Sequence, residues 1–285
     1  MQNAETLMGL RVLVTRASHQ SGSFSEKLQR LGASVVEMPL IVIAPPDSWE
    51  DVDEELKQID QYDWIVFASA NAVTSFFDRA SQIEINAATS SAKFAAVGPG
   101  TADVLKLRGV TPDYQASEYV AEGLVHQFPG YPHLQRINVL WPKTNIGRTY
   151  LRDALQAAGA TVRPVVCYKT EAPSNMPELG QQLDRLLNTE EIDAITVTSS
   201  EAASNLAKLL KHHTQDSGAA SQFLQKIEFI SIGPQTSKTL KELMGEAVRV
   251  HQPQEFNIDG MVALLEQIWS SRTVALKKTP KGHDV

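Results

Sequence analysis

The 285-residue sequence is poor in cysteine, in basic residues and in long apolar runs. One cysteine excludes a disulfide framework, and 26 Lys and Arg against 33 Asp and Glu leave a net charge of -7. This balance argues against broad nucleic-acid binding, which needs a basic stripe to neutralise phosphates. No run reaches the roughly 18 apolar residues of a membrane span, and the polar start lacks the pattern of a secretory signal. We therefore expect a cytoplasmic protein that binds neither membrane nor nucleic acid.

Several familiar catalytic motifs are also missing. The sequence has no Gly-x-Gly-x-x-Gly after its first predicted strand, no Gly-x4-Gly-Lys-Ser/Thr, no Gly-x-Ser-x-Gly and no His-Glu-x-x-His, which disfavours nucleotide, hydrolase and zinc chemistry. Cys167 lies in the apolar run Val165–Tyr168, so we expect a buried small residue and not a catalytic thiol. We expect no metal and no other cofactor.

What the sequence does contain is nearly the same series of strand, turn and helix patterns twice. The matching segments are separated by 127, 130, 135 and finally 137 residues: 11–16 with 138–143, 62–69 with 192–199, 98–101 with 233–236, and 122–124 with 259–261. Small insertions explain the slow drift. Two similar lobes are therefore predicted, and the cleft between such lobes is a natural place for a ligand.

The fold class follows from the apolar runs. Short, β-branched runs alternate with helical segments, which is typical of a parallel sheet covered by helices on both faces, so we predict an α/β protein. Pro45-Pro46 and Ala172-Pro173 occupy equivalent places in the two copies. Because proline stops a strand and stiffens the exit, these segments mark the predicted lobe boundaries. Residues 270–285 lack an apolar period and are predicted to be a tail.

Two Gly-Pro-x-Thr segments are the clearest candidates for a binding site. They consist of Gly98, Pro99, Gly100 and Thr101 and of Gly233, Pro234, Gln235 and Thr236. Glycine permits a sharp turn and proline is tolerated in a first helical turn, so the first N–H groups of each helix are expected to stay free. Such helix starts attract a carboxylate or phosphate. The alternative for either segment alone is simple capping by the threonine, but occurrence in both copies favours a site.

Two further repeat-related pairs lie at predicted strand ends, where open α/β sheets bind ligands. The first pair consists of small residues, several with hydroxyl groups: Ser69, Ala70 and Asn71 in one copy and Ser199 and Ser200 in the other. The second pair places one cation in each copy: Thr15 and Arg16 correspond to Pro142 and Lys143. Capping and solvated surface charge are the respective alternatives. Tyr168, at a strand end, is the remaining titratable candidate, either a weak general acid or a half-buried strand tyrosine.

In order and spacing these residues resemble the uroporphyrinogen-III synthase family. The resemblance covers about residues 9–270. It rests on Val14-Thr15-Arg16, the run 67–73, both Gly-Pro-x-Thr turns, the strand exit 166–170 and the run 197–200. The resemblance implies two flavodoxin-like or Rossmann-like parallel-sheet lobes joined by a two-segment extended linker, with the active-site cleft between them. Lobe one would be 1–41 with 171–272, lobe two 44–168, and 273–285 a flexible C-terminal tail.

The resemblance also implies a reaction, a lyase step in haem and chlorophyll biosynthesis. Linear hydroxymethylbilane loses water and closes to uroporphyrinogen III with ring D inverted, without a cofactor. The four strand-to-helix junctions would bind substrate carboxylates, with Arg16 and Lys143 as partners and Tyr168 assisting departure of the hydroxyl. The sequence departs from a common form of the family at Ala68, where threonine is frequent, and at Asn71, where a basic residue is frequent. A direct charge contact from that turn is therefore not expected.

The family further implies a monomer that contacts the upstream hydroxymethylbilane synthase transiently. Another class of function uses the same residues. A non-catalytic two-lobed binding or sensor protein for a small polycarboxylate needs the same cleft but no control over which carbon attacks. The isomer of the cyclised product separates the two functions.

Overall fold

The structure is a computed structural model that describes residues 5–216, 224–245 and 248–278. Its strands are β1 Arg11–Val14, β2 Ser34–Glu37, β3 Val42–Ala44, β4 Trp64–Phe67, β5 Lys93–Ala96, β6 Tyr114–Gln115, β7 Asn138–Thr144, β8 Thr161–Glu171, β9 Ala194–Val197, β10 Glu228–Ser231 and β11 Arg249–His251. Its helices are α1 Ser18–Arg30, α2 Glu50–Lys57, α3 Ala70–Gln82, α4 Pro99–Leu107, α5 Ala121–His126, α6 Tyr150–Ala157, α7 Met176–Asn188, α8 Ser200–Asp216, α9 Pro234–Met244 and α10 Ile258–Lys278. The predicted α/β class is confirmed.

The chain divides into two compact units. Unit 1 combines residues up to 42 with residues from 172 onward, and unit 2 spans 43–171. Unit 1 contains a five-stranded sheet in the order β11-β10-β9-β1-β2, with parallel pairing throughout. Strand β1 lies between β9 and β2, so the first strand-helix-strand segment of the chain completes the sheet of the C-terminal half.

Unit 2 contains a six-stranded sheet in the order β3-β8-β7-β4-β5-β6, whose pairs from β8 to β6 are parallel. Alternate side chains of β4 enter different apolar clusters, with Ile65 and Phe67 in one and Trp64 and Val66 in the other. Because successive strand residues point to opposite faces, this sheet is covered on both sides. That double burial is why β4 reads in the sequence as an unbroken apolar run.

The internal repeat is visible in the order of the strands. β10, β9, β1 and β2 of unit 1 are neighbours in the same sequence as β5, β4, β7 and β8 of unit 2. These are the pairs that the repeat offsets matched, so equivalent segments occupy equivalent sheet positions. The duplication therefore gives each unit its own set of strand ends and helix starts.

The chain changes sheets between β2 and β3, and one predicted boundary differs from the structure. Residues 34–44 contain these two short strands because the chain leaves one sheet before it enters the other. Helix α10 continues to Lys278, into residues 273–278 of the predicted tail. The reason is that 270–278 contain no glycine or proline and Pro280 is the first helix breaker. Residues 279–285 lie outside the described residues.

Candidate active site

The predicted site residues of unit 1 follow three neighbouring parallel strands. β1 is followed by Thr15 and Arg16, β9 leads through Ser199 into α8, and β10 leads through Gly233 into α9. Since β10, β9 and β1 are adjacent and parallel, these three junctions lie side by side at the carboxyl edge of the sheet. Ligands of open α/β sheets bind at this edge.

Unit 2 brings the equivalent junctions together in the same way. β4 leads through Ser69 into α3, β5 leads through Gly98 into α4, and β7 carries Lys143 near its end. The adjacent strand β8 contributes Tyr168. The predicted site residues of each unit thus share one edge of one sheet.

Tyr168 contacts the serine that begins α3. Its side chain is 5% exposed, and its hydroxyl lies 3.0 Å from the Ser69 hydroxyl. The same serine oxygen accepts a hydrogen bond of 3.1 Å from the Ala72 N–H and so caps the helix. The sequence suggested each residue separately but gave no sign of this contact, because they are 99 positions apart.

The equivalent serine in unit 1 makes the same cap without a tyrosine. Ser199 accepts a hydrogen bond of 3.1 Å from the Ala202 N–H. At the repeat offset of 127 the partner of Tyr168 is Ile41, which is buried. Ser200, next in the chain, accepts a hydrogen bond from the Thr239 hydroxyl at 3.1 Å.

The Gly-Pro-x-Thr turns begin helices α4 and α9, as predicted, but in a different manner. Neither helix has a side-chain cap, so Thr101 and Thr236 are not capping residues, and both are buried. Pro99 and Pro234 occupy the first turns and lack an N–H. In the first copy the Thr101 N–H also donates to the Gly98 carbonyl at 3.1 Å. Fewer free N–H groups therefore face a ligand than the sequence suggested.

The glycines of these turns are needed for space and not for backbone conformation. Gly98 and Gly233 have φ values of -166° and -178°, which are extended and open to any residue. A Cβ on Gly98 would lie 3.3 Å from Tyr119, and one on Gly233 would lie 3.4 Å from Phe256. An aromatic ring thus covers each turn.

The sequence prediction missed this pair of aromatic residues, although a signal was present. Tyr119 and Phe256 are 137 residues apart, the same offset as Gly123 and Gly260. Each copy therefore carries a Glu-aromatic-x3-Gly segment after its Gly-Pro turn. Aligning the copies residue by residue beyond the turns would have found it.

The two predicted cations have different surroundings. Burial lowers the pKa of the Arg16 guanidinium, and its Nε is buried without a hydrogen-bond partner among the described residues. Burial is also the main cause of a lowered pKa at Lys143, but this ammonium donates to the carbonyls of Thr144 and Ile146 and lies 5.6 Å from the Trp141 ring. Within the described residues, Arg16 therefore has a donor left for an anion, whereas the Lys143 ammonium already donates to two carbonyls.

Three residues near these edges serve the fold. The buried Thr15 hydroxyl donates to the Thr196 carbonyl at 2.8 Å, and Pro142 lies within β7, paired with Val165. Burial raises the pKa of the Cys167 thiol to about 12, which favours the protonated thiol. The expectation of a buried cysteine is confirmed.

Other classes of site find little support in the described part of the chain. In residues 5–216, 224–245 and 248–278, His, Cys, Asp and Glu side chains form no group of three that can hold a metal ion. Over the same ranges no helix combines the length and the apolar character needed to cross a bilayer. The fold and the paired edges define a two-unit α/β protein with helix starts and hydroxyl groups at the carboxyl ends of two parallel sheets.

Comparison with known proteins gives the family. The family described as "Uroporphyrinogen-III synthase HemD" matches residues 22–263. The uroporphyrinogen-III synthase of Synechococcus elongatus is 36% identical over 272 residues, which is 94% of this chain and 98% of that protein. A putative uroporphyrinogen-III synthase of Methanothermobacter thermautotrophicus is 25% identical, over 88% of this chain and 96% of its own.

Solved structures agree at the level of fold. A mutant uroporphyrinogen III synthase from Thermus thermophilus matches with a TM-score of 0.63 at 17% identity, over 95% of this chain and all of that chain. The uroporphyrinogen-III synthetase from Helicobacter pylori matches with a TM-score of 0.56 at 13% identity, over 91% and 99%. The chain belongs to the uroporphyrinogen-III synthase family, as the sequence resemblance predicted, and the non-catalytic binding alternative is not favoured.

Proposed function

We propose that this protein cyclises hydroxymethylbilane to uroporphyrinogen III, as a cofactor-free hydro-lyase of tetrapyrrole biosynthesis. The observation that carries the proposal is the match to a uroporphyrinogen-III synthase over 94% of the chain. The site is consistent with this substrate. A flexible tetrapyrrole with many carboxylates needs distributed anchors, and each sheet offers three adjacent strand ends with small or hydroxyl side chains.

The net charge of -7 shapes how such a substrate is held. A general positive field is absent, so carboxylates must be bound by local groups: helix starts, hydroxyls and chosen cations. Arg16 is the cation best suited to this role because it is half-buried and its Nε has no hydrogen-bond partner among the described residues. A substrate carboxylate would supply an opposite charge and an acceptor for this N–H.

Tyr168 is the proposed proton donor. Its phenol transfers a proton to the hydroxymethyl oxygen, the C–O bond breaks, and water leaves with the bonding electron pair. Electrons from the pyrrole nitrogen stabilise the cation left behind. For inversion, the ring D carbon that already carries the bridge to ring C attacks this cation and forms a spiro-pyrrolenine. The bond from the bridge to that carbon then breaks and re-forms at the other α-carbon of ring D, which loses its proton. This proton restores the phenol, so the protein ends unchanged. Binding that places one carbon of ring D for attack then decides the isomer.

The test is to supply hydroxymethylbilane with and without the purified protein and to determine the isomer of the product. Unaided closure gives the isomer without inversion, so the protein should produce mainly the isomer with ring D inverted. Activity should survive exhaustive dialysis against a chelator. Unchanged isomer composition would refute the proposed reaction, and activity that a metal restores would refute its cofactor-free character.

The working form should be a cytoplasmic monomer, with hydroxymethylbilane passed on in a transient contact with the synthase that makes it.

A further inference from the structure

We infer that the Ser69 hydroxyl is a positioning residue that holds and assists the Tyr168 phenol, and is not itself a ligand of a substrate carboxylate. This inference rests on the proposed function, because it assigns a partner to the proton donor of that reaction. It also replaces the carboxylate-binding role that the sequence suggested for this hydroxyl. The neighbouring Ala70 and Asn71 keep theirs.

The first observation is that the serine oxygen is fixed in place. Ser69 has an extended backbone and caps α3, with its Oγ accepting from the Ala72 N–H at 3.1 Å. The same Oγ lies 3.0 Å from the Tyr168 hydroxyl. Rotation of the side chain toward a ligand would break both contacts and leave the helix start without its cap. The Ser69 hydroxyl is therefore held by contacts within the protein.

The second observation is a strand irregularity that aims Tyr168 at this serine. The pairing of β7 with β8 advances from Lys143 opposite Val166 to Thr144 opposite Tyr168, so Cys167 is an extra residue on β8. A bulge of this kind interrupts the alternation of side chains and redirects the residue that follows it. In unit 1 the equivalent pairing of β1 with β2 ends at Val14 opposite Glu37, before the position that corresponds to this bulge.

The direction of the Ser69–Tyr168 hydrogen bond follows from the proposed reaction, because either oxygen can be the donor. A serine hydroxyl has one proton and two acceptor sites, and the Ala72 N–H takes one acceptor site. The proposed reaction requires the phenol proton at the departing hydroxyl of the substrate, and Ser69 meets this requirement by donating its own proton to the phenol oxygen. The donated bond also stabilises the negative charge that develops on the phenol oxygen as its proton leaves. If Tyr168 donated to Ser69 instead, the phenol proton would point at the serine oxygen and not at the substrate. We therefore assign Ser69 as donor in the reacting state.

The repeat provides a matched control. Ser199 caps α8 as Ser69 caps α3, with the same distance of 3.1 Å to the backbone N–H three residues on. Its unit has Ile41 where Tyr168 would be. Replacing either serine by alanine removes the same cap, but only the first replacement removes a partner of a tyrosine.

The experiment is a double-mutant cycle on the full chain, with Ser69→Ala, Tyr168→Phe and the combined variant, and with Ser199→Ala alone and combined with Tyr168→Phe. Ser69→Ala should lower kcat about tenfold or more with little change in KM, as expected for loss of a donor to developing charge. In the Tyr168→Phe background it should lower kcat by no more than about twofold. The effect of Ser199→Ala should instead multiply with that of Tyr168→Phe, because those residues lie in different units.

The opposite pattern overturns the inference. If the effects of Ser69→Ala and Tyr168→Phe multiply, or if Ser69→Ala chiefly raises KM, the hydroxyl binds substrate independently of the tyrosine. Thermal unfolding should show similar losses for the two alanine variants, and Ser69→Gly, which helix starts tolerate well, replaces Ser69→Ala if the latter does not fold. The isomer made by the unaltered protein is measured first. If that isomer is not inverted at ring D, the proposed function fails; if it is, only the role of Ser69 is at stake.

Discussion

The two units have the same strand order but differ in the side chains at the carboxyl edge. Unit 2 has Tyr168 against a capping serine, where unit 1 has the buried Ile41. Unit 1 has Arg16, whose Nε has no hydrogen-bond partner among the described residues, where unit 2 has Lys143 bonded to backbone carbonyls. The duplicated fold thus supplies the helix starts twice, whereas the proposed proton donor has no counterpart at the equivalent position of unit 1. Under the proposed function, the repeat would supply the binding edges and the residues that differ between the copies would supply the chemistry.

The substitutions expected to have the largest effect in both units are at Gly123 and Gly260, which lie in the first turns of α5 and α10. A Cβ on Gly123 would lie 2.5 Å from the Glu118 carbonyl oxygen, and one on Gly260 would lie 2.1 Å from that of Glu255. Backbone must move to admit any side chain, so Gly123→Ala and Gly260→Ala should each lower the free energy of unfolding by about 3 kcal/mol or more. Urea denaturation measures this.

Gly100→Ala is the matched control for these two substitutions. A Cβ there meets nothing within 4 Å, and its repeat partner is Gln235, which already carries a side chain. Because alanine is the better helix former, this change should be neutral or should stabilise by up to about 1 kcal/mol. A loss as large as that of Gly123→Ala would mean that the close contacts are not what makes Gly123 and Gly260 necessary.

The next largest effect concerns the asymmetry between Tyr168 and Ile41. Tyr168→Phe keeps the ring and removes the donor, so kcat should fall by roughly 10- to 1,000-fold, the range of a positioned acid or hydrogen bond. Steady-state kinetics with isomer analysis checks this. The matched control is Tyr62→Phe, which removes another buried hydroxyl of unit 2, bonded to Glu55 at 2.5 Å, and should affect stability but not kcat. A fully inactive but folded Tyr168→Phe protein would indicate one obligatory acid in place of distributed positioning.

Much of this comparison could be predicted from the sequence. Short-range patterns gave the α/β class, because apolar runs and helix periods are local properties. The repeat offsets aligned the junctions at Ser69 and Ser199 and at Gly98 and Gly233. The repeat alone did not show that β1 joins β9, since equivalent segments fit either sheet equally well; the family resemblance supplied that expectation.

Other features depend on contacts between residues far apart in the chain, which local patterns do not encode. The Ser69–Tyr168 contact is one, and the ring of Tyr119 over Gly98 is another. The position of the threonines in the Gly-Pro turns makes capping an alternative in the sequence, but the helices have no side-chain cap. Whether Arg16 has a partner likewise depends on what the fold buries beside it.

Each unit has a buried glutamate whose charge contributes to stability above acidic pH. Burial, the largest influence, raises the pKa of Glu228 in unit 1, but hydrogen bonds from His251 and Arg249 outweigh it and lower the pKa overall. The pKa of Glu55 in unit 2 is lowered in the same way, against burial, by Tyr62 and Arg163. A lowered folded pKa contributes stability above the unfolded value of about 4.5, and this contribution is lost as the pH falls through the folded pKa.

Glu228→Gln and Glu55→Gln should therefore each lower the free energy of unfolding at pH 7 by about 1.5–3 kcal/mol, the usual contribution of a hydrogen bond to a charged group. The difference from the unaltered protein should shrink as the pH falls below about 4.5. Urea denaturation at several pH values measures it. A difference that stays constant with pH would show that packing and not charge is responsible.

The cations should respond in opposite directions. Arg16→Met removes a half-buried charge whose Nε has no hydrogen-bond partner among the described residues, so stability should rise slightly while KM rises about tenfold, equivalent to about 1.4 kcal/mol of binding. Lys143→Met removes hydrogen bonds to the Thr144 and Ile146 carbonyls, so stability should fall and KM should change less. Thermal unfolding and steady-state kinetics on both variants test the contrast. Equal effects on KM would show that the carbonyl contacts do not withhold Lys143 from the substrate.

The smallest effects concern Thr101 and Thr236. Both are buried beside their turns, and neither accepts a capping hydrogen bond from a helix N–H, so Thr→Ala at either position removes a hydroxyl without removing a cap. We expect each to cost about 1 kcal/mol or less in unfolding free energy, below the cost of the serine caps. The two should also match each other, because the turns are repeat-related. A large loss of kcat at one threonine, with stability unchanged, would show that its hydroxyl contacts substrate and would add a third asymmetry to the two edges.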